Sequence, residues 1–129
     1  MVLHREPKSF DEAKRLFVDV DVNGTAATAV VDTGLSHIVS CSIEEARKLQ
    51  LREEKLQQPM QIAMIEGIVE RDVIARDVPV SGFGKQAEGD GILEALDEPL
   101  AIGMPFILGS TLTFYETGDW DFVFPGRKG

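Results

Sequence analysis

The stretch from Phe17 to Ser36, FVDVDVNGTAATAVVDTGLS, constrains the fold more than any other part of the chain. Two apolar-rich runs flank Asn23-Gly24, a pair that reaches positive φ at little cost and therefore favours a tight two-residue hairpin. The second run, Thr25 to Val31, stops abruptly on Asp32-Thr33-Gly34. A carboxylate directly after a strand of buried character must be exposed at the strand end, held by hydrogen bonds, or kept partly protonated. Gly34 has no Cβ, so the backbone there can turn sharply and come close to another group.

The remaining pattern predicts many short strands and little helix. Leu16 to Val22 and Thr25 to Val31 form the first hairpin, and Ile38-Val39 reads as a short strand. Ser42-Ile43-Glu44-Glu45 has the spacing of a capping box, with Ile43, Ala46 and Leu49 on one helical face and Glu44 paired to Lys48. Gln50 to Gln58 reads as a polar connection. Gln61 to Ile65 and Gly67 to Ile74 are expected to pair across Glu66-Gly67, and Val78 and Val80 share a face. Ser81 to Gly84 is a turn, Ala87 to Gly91 an acidic, glycine-rich link, and Ile92 to Leu96 a strand. Leu100 to Ile102 is a short strand, and Met104-Pro105 opens a helical turn, where proline's missing N–H costs nothing. Leu112 to Tyr115 and Trp120 to Phe124 close a hairpin over Thr117-Gly118-Asp119, with Trp120, Phe122 and Phe124 on its buried face. This is a mostly-β chain, a closed or partly open barrel or sandwich with one short helix and a helical turn.

At 129 residues the chain reads as a single domain, 1–129, with 1–15 either a loose arm or an interface strand. It carries 22 acidic against 13 basic side chains, a net charge of −9, which repels phosphate backbones and argues against nucleic acid. No apolar run is long enough to span a membrane, and the first residues lack a signal-peptide core, so no membrane partner and a cytoplasmic location are expected. Cys41, the one cysteine, cannot form an internal disulfide. Asn23-Gly24-Thr25 matches a glycosylation sequon, read as accidental without a secretory signal.

AVVDTGLS resembles the active-site loop of aspartic peptidases, the clan of pepsin and the retroviral proteases. Pepsin carries the motif twice, whereas this chain carries it once, like the homodimeric retroviral-type (retropepsin-like) half. LAIGMPFI, Leu100 to Ile107, resembles the apolar-apolar-Gly segment and short helix near the C-terminal end of these domains. The resemblance runs from Phe17 to Phe124. It implies an acid-protease barrel, a homodimer, a polypeptide substrate and hydrolysis by paired Asp32 carboxylates, with no cofactor and no metal. It further implies that Thr33 locks the two loops together, that Gly34 lets them approach, and that Ser36 supports the outer carboxylate oxygen. Gly103 would lie beneath the loop. Leu35 replaces the commoner alanine, as in some bacterial and archaeal branches. Leu35 and His37 would lie at the substrate cleft, and Met64, Ile65, Glu66 and Gly67 would form a flap with fewer glycines than usual.

Other chemistry is less well supported. An inactive peptidase-like domain for dimerisation or peptide binding is the main alternative. Asp19 and Asp21, ahead of Gly24-Thr25, loosely resemble a phosphatase nucleophile loop, but the spacing is wrong and the solvent face of an edge strand explains them. His4 is isolated, so no metal set assembles. Cys41 has no base beside it and reads as a small buried residue.

Overall fold

The computed structural model describes residues 3–4, 15–64, 67–94, 98–117 and 119–124. The elements in order are β1 (Leu3–His4), β2 (Phe17–Val22), β3 (Thr25–Val31), β4 (Val39–Ser42), α1 (Ile43–Lys48), β5 (Arg52–Met64) and β6 (Gly67–Gly82). They continue as β7 (Lys85–Glu94), β8 (Ala101–Ile102), α2 (Met104–Ile107), β9 (Thr111–Phe114) and β10 (Trp120–Val123). These elements make the mostly-β architecture that the sequence leads one to expect.

The strands β2-β3-β8-β4-β7-β6-β5 form one sheet, and a further β2–β6 pairing bends it into a ring with β5 outside the closure. That seam is only Asp21↔Ser81 and Val22↔Val80, so the ring is not a clean barrel. Asp19 and Asp21 do face solvent, but β2 is not a simple edge, because β6 joins it at the Asp21 end. The second sheet, β1-β10-β9, packs Trp120, Phe122 and Phe124 inward, where Phe83 and Phe106 meet them edge-on. Within the 1–15 segment, Leu3–His4 adds to β10 as an intrachain strand; Met1, Val2 and residues 5–14 lie outside the described residues.

Local chemistry explains the turns. Asn23 and Gly24 have φ of 52° and 82°, as the two-residue hairpin requires, and Phe83-Gly84 repeats the device between β6 and β7 with 53° and 77°. The Asn23 amide also donates to the Leu49 and Gln50 carbonyls, which lie past the end of α1. Ser42 caps that helix by accepting from the Glu45 N–H at 3.1 Å, and Glu44 sits 3.6 Å from Lys48. Ala46 and Leu49 are buried beneath it.

Two expectations are corrected. Gln50 to Gln58 is not a connection: from Arg52 onward it is the first half of β5, paired to β6 from Arg52↔Arg76 to Lys55↔Val73. Its polar character reflects an edge strand with much of its surface in water. Ala87 to Gly91 is likewise strand, part of β7. Glycine is needed at Gly91 because a Cβ there would sit 2.6 Å from Val39 Cγ2 on the neighbouring β4. The strand expected at Ile92 to Leu96 is the end of β7; Leu96 lies outside the described residues.

Candidate functional site

Asp32 emerges where β3 runs out between two neighbours. Val30 N donates to Leu100 O at 2.8 Å and Asp32 N to Ile102 O at 3.0 Å, while Val31 N reaches Leu16 O on the other side. The parallel pairing Val30↔Ala101 and Val31↔Ile102 carries the strand up to the carboxylate. The chain then folds back: Leu35 N donates to Asp32 O at 3.2 Å, and the Gly34 N–H donates to Asp32 Oδ1 at 2.9 Å. Asp32, Thr33 and Gly34 are all exposed. The result is a solvent-facing carboxylate with one oxygen held by a backbone N–H.

The loop rests on the segment around Gly103. Gly103 N donates to Ile38 O at 3.0 Å and Met104 N to Leu35 O at 2.8 Å. A Cβ at Gly103 would collide with the His37 carbonyl and lie 2.7 Å from both Leu35 Cγ and Leu35 O. Its φ of −116° is open to any residue, so close approach alone demands glycine here. Behind it α2 carries Phe106 into the core. The buried Lys85 ammonium, at the start of β7, donates to Phe106 O and Leu108 O at 2.6 Å each.

The structure thus gathers Asp32, Thr33, Gly34, Leu35, Ser36, His37 and Gly103 at one place. Ser36 is exposed, and its hydroxyl lies 3.3 Å from His37 Nδ1 of the half-buried imidazole. Leu35, expected at the substrate cleft, lies on this loop as a buried side chain. It is 9% exposed and shares an apolar cluster with Ile62 of β5, against which Val69 of β6 packs. Met64 and Gly67, two of the residues expected in a flap, form the last described pair of the β5–β6 hairpin; Ile65 and Glu66 lie outside the described residues. Sequence reasoning missed Val30, Ile62, Ile92 and Ala101, the apolar residues packed with Leu35, since none carries a chemical signature.

The rival sites fare worse. Asp19 Oδ1 accepts from Thr28 across the β2–β3 hairpin at 2.9 Å, an ordinary cross-strand contact without the parallel α/β setting of a phosphatase loop. Cys41 is fully buried, and burial, with Glu45 adding to it, pushes its thiol up to about 12. That thiol is no nucleophile near neutrality. A shallow cavity lined by Gly24, Pro79, Ser81, Gln86 and Glu88 contains no residue of the Asp32 loop. Among the described residues no cluster of three or more His, Cys, Asp or Glu side chains could hold a metal, and no helix is long and apolar enough to cross a membrane.

No family profile and no curated protein sequence matches the chain. Solved structures do. EIAV protease complexed with the inhibitor HBY-793 superposes with a TM-score of 0.55 at 20% identity, over 73% of this chain and 86% of that one. A retropepsin-like aspartic protease from Rickettsia conorii superposes with a TM-score of 0.56 at 17% identity, over 85% of this chain and 81% of that one. At these identities the likeness is one of fold.

Proposed function

We propose that this chain is one half of a homodimeric aspartic endopeptidase of the retropepsin-like family, hydrolysing polypeptides with Asp32 from each of two subunits. The observation that carries the proposal is the Asp32 loop: an exposed carboxylate at the end of β3, oriented by the Gly34 N–H and seated on Gly103. The fold's similarity to retropepsin-like aspartic proteases supports it.

One carboxylate cannot do the whole reaction. Peptide hydrolysis needs a base to take a proton from water and an acid to protonate the carbonyl oxygen in the same step. Two Asp32 side chains meeting on a two-fold axis supply both. Carboxyl groups about 3 Å apart cannot both ionise and so share one proton, the established behaviour of aspartic protease pairs. The ionised member activates water for attack on the carbonyl carbon, and the protonated member gives its proton to the carbonyl oxygen. The resulting tetrahedral gem-diol collapses with cleavage of the C–N bond: the proton taken from water passes to the leaving nitrogen, and one hydroxyl returns its proton to the other carboxylate, which restores the shared-proton pair.

In this reading Thr33 ties the two loops together, Gly34 lets them approach, Ser36 supports the outer carboxylate oxygen and His37 lies at the cleft edge. The hairpin ending in Met64, Ile65, Glu66 and Gly67 closes over the peptide. The test is incubation of wild type and Asp32→Asn with a diverse peptide library between about pH 4 and 7, where a shared-proton pair works, read by mass spectrometry. Cuts made by the wild type alone are expected. A strictly monomeric protein, or a folded dimer that makes no cuts, would overturn the proposal; in the second case a peptide-binding role takes its place.

A further inference from the structure

We infer that Leu35 determines specificity, by filling the floor beside Asp32 so that the substrate residues flanking the cleaved bond must be small. The inference rests on the peptidase reading above and deepens it by naming the substrate class.

The ring has two apolar regions. The larger core contains Ala29, Ile38, Ile102 and Phe106. The smaller one, Val30, Leu35, Ile62, Ile92 and Ala101, is drawn from β3, the Asp32 loop, β5, β7 and β8. Val30 is two residues before Asp32, Leu35 three residues after it, and Ala101 pairs with Val30. This cluster therefore underlies the point where the carboxylate emerges, with the β5–β6 hairpin resting on it.

A peptide reaching Asp32 beneath the hairpin must displace part of this packing. On the hairpin side, Ile68 is 71% exposed. Leu35 is held from below. Its Cγ lies against the Gly103 backbone, which has no room even for a methyl group, and its carbonyl accepts from Met104 N. Its amide is tied back to Asp32 O at 3.2 Å. A side chain wedged between a backbone below and a lid above has nowhere to retreat, since interiors are close-packed.

The substrate residue that settles over Leu35 thus meets a filled floor, where glycine, alanine or serine fits and a large side chain overpacks. In a two-fold dimer each Leu35 underlies one side of the cleaved bond, so both flanking residues fall under the same restriction. A difference of one methylene in an apolar site already discriminates by about 10- to 200-fold, which is enough to make this preference visible in a library.

The experiment compares wild type, Leu35→Ala and Ile62→Ala on one peptide library and on matched peptides that differ only at the two flanking positions. The wild type is expected to cut between small residues. Leu35→Ala is expected to raise kcat/KM for leucine or phenylalanine at those positions, relative to alanine, by about tenfold or more. Ile62→Ala, on the hairpin, is expected to change KM while leaving that ratio in place. Wild-type cuts beside large residues, an unchanged ratio in Leu35→Ala, or an equal shift in Ile62→Ala would overturn the inference and leave the peptidase reading standing. The absence of any Asp32-dependent cut would overturn both. If Leu35→Ala does not fold, Leu35→Val removes less and must still shift the ratio in the same direction, by a few-fold; no shift there also overturns it.

Discussion

Gly103 lies directly against Leu35: a Cβ built on Gly103 would stand 2.7 Å from both the Leu35 Cγ and the Leu35 carbonyl oxygen. Two segments far apart in sequence therefore meet backbone to backbone at the Asp32 loop. The Leu35 Cγ is a side-chain atom, but the Leu35 and His37 carbonyl oxygens belong to the backbone, so no rotamer change relieves the contact.

Gly103→Ala is accordingly expected to destabilise the protein at the upper end of overpacking costs, about 3 kcal/mol. The measurement is urea unfolding, read as a lower midpoint with little change in slope. Cleavage by the surviving folded fraction is expected to fall as well, because relief must come from moving the loop that carries Asp32. An alanine variant as stable as the wild type would show that the loop and the β8–α2 junction are not in fixed contact.

Much of this arrangement was legible in the sequence because its chemistry is local. Asn23-Gly24 fixes a hairpin through positive φ, Ser42 caps α1 through its own hydroxyl, and the run into Asp32-Thr33-Gly34 marks a strand end. What was not legible depends on distant partners. Arg52 to Lys55 look like a polar loop until β6 is placed beside them. There the Arg76 guanidinium joins Glu54 at 2.5 Å and Asp90 at 2.7 Å, tying β5, β6 and β7 together. Leu35 is loop by pattern and is buried by partners distant in sequence, in a cluster with Ile62, Ile92 and Ala101. Lys85 carries no local sign of burial, since its acceptors are backbone carbonyls about twenty residues onward.

Lys85 supplies the second prediction. Its ammonium donates to Phe106 O and Leu108 O, and it lies 4.8 Å from the Phe124 ring centroid. Cations at the carboxyl end of a helix satisfy carbonyls that lack an intrahelical partner. Lys85→Met keeps the apolar stem but strands those acceptors in a buried setting, and is expected to cost about 2–4 kcal/mol. Thermal unfolding of the two proteins checks it. A methionine variant that matches or exceeds wild-type stability would mean that packing alone holds α2 in place.

The third prediction concerns α1, which the Ser42 hydroxyl begins by accepting from Glu45 N. Ser42→Ala removes that acceptor and is expected to cost about 1 kcal/mol. Ser42→Asp should recover most of the loss, because a carboxylate accepts the same bond and suits the helix N-terminus. Ser42 is only 5% exposed, so an unrecovered loss in the aspartate variant would assign the effect to space instead of capping.

The last prediction follows from Cys41, whose thiol is pushed up to about 12 first by burial and then by the charge of Glu45. In the folded state the thiol keeps its proton across the range in which an unfolded cysteine, near 9.0, gives its proton up. Above that lower value the unfolded chain binds fewer protons than the native one, so stability falls as pH rises. The contribution from Cys41 is therefore complete below about pH 9 and is lost progressively toward pH 12. Cys41→Ala should show a shallower loss over that window when unfolding is followed against pH. A thiol reagent at pH 7.5 should label native wild type far more slowly than urea-unfolded protein, because the reactive thiolate is both rare and out of reach. Labelling at the same rate in both states would place Cys41 at the surface and contradict the packing of β4 against β7 and β8.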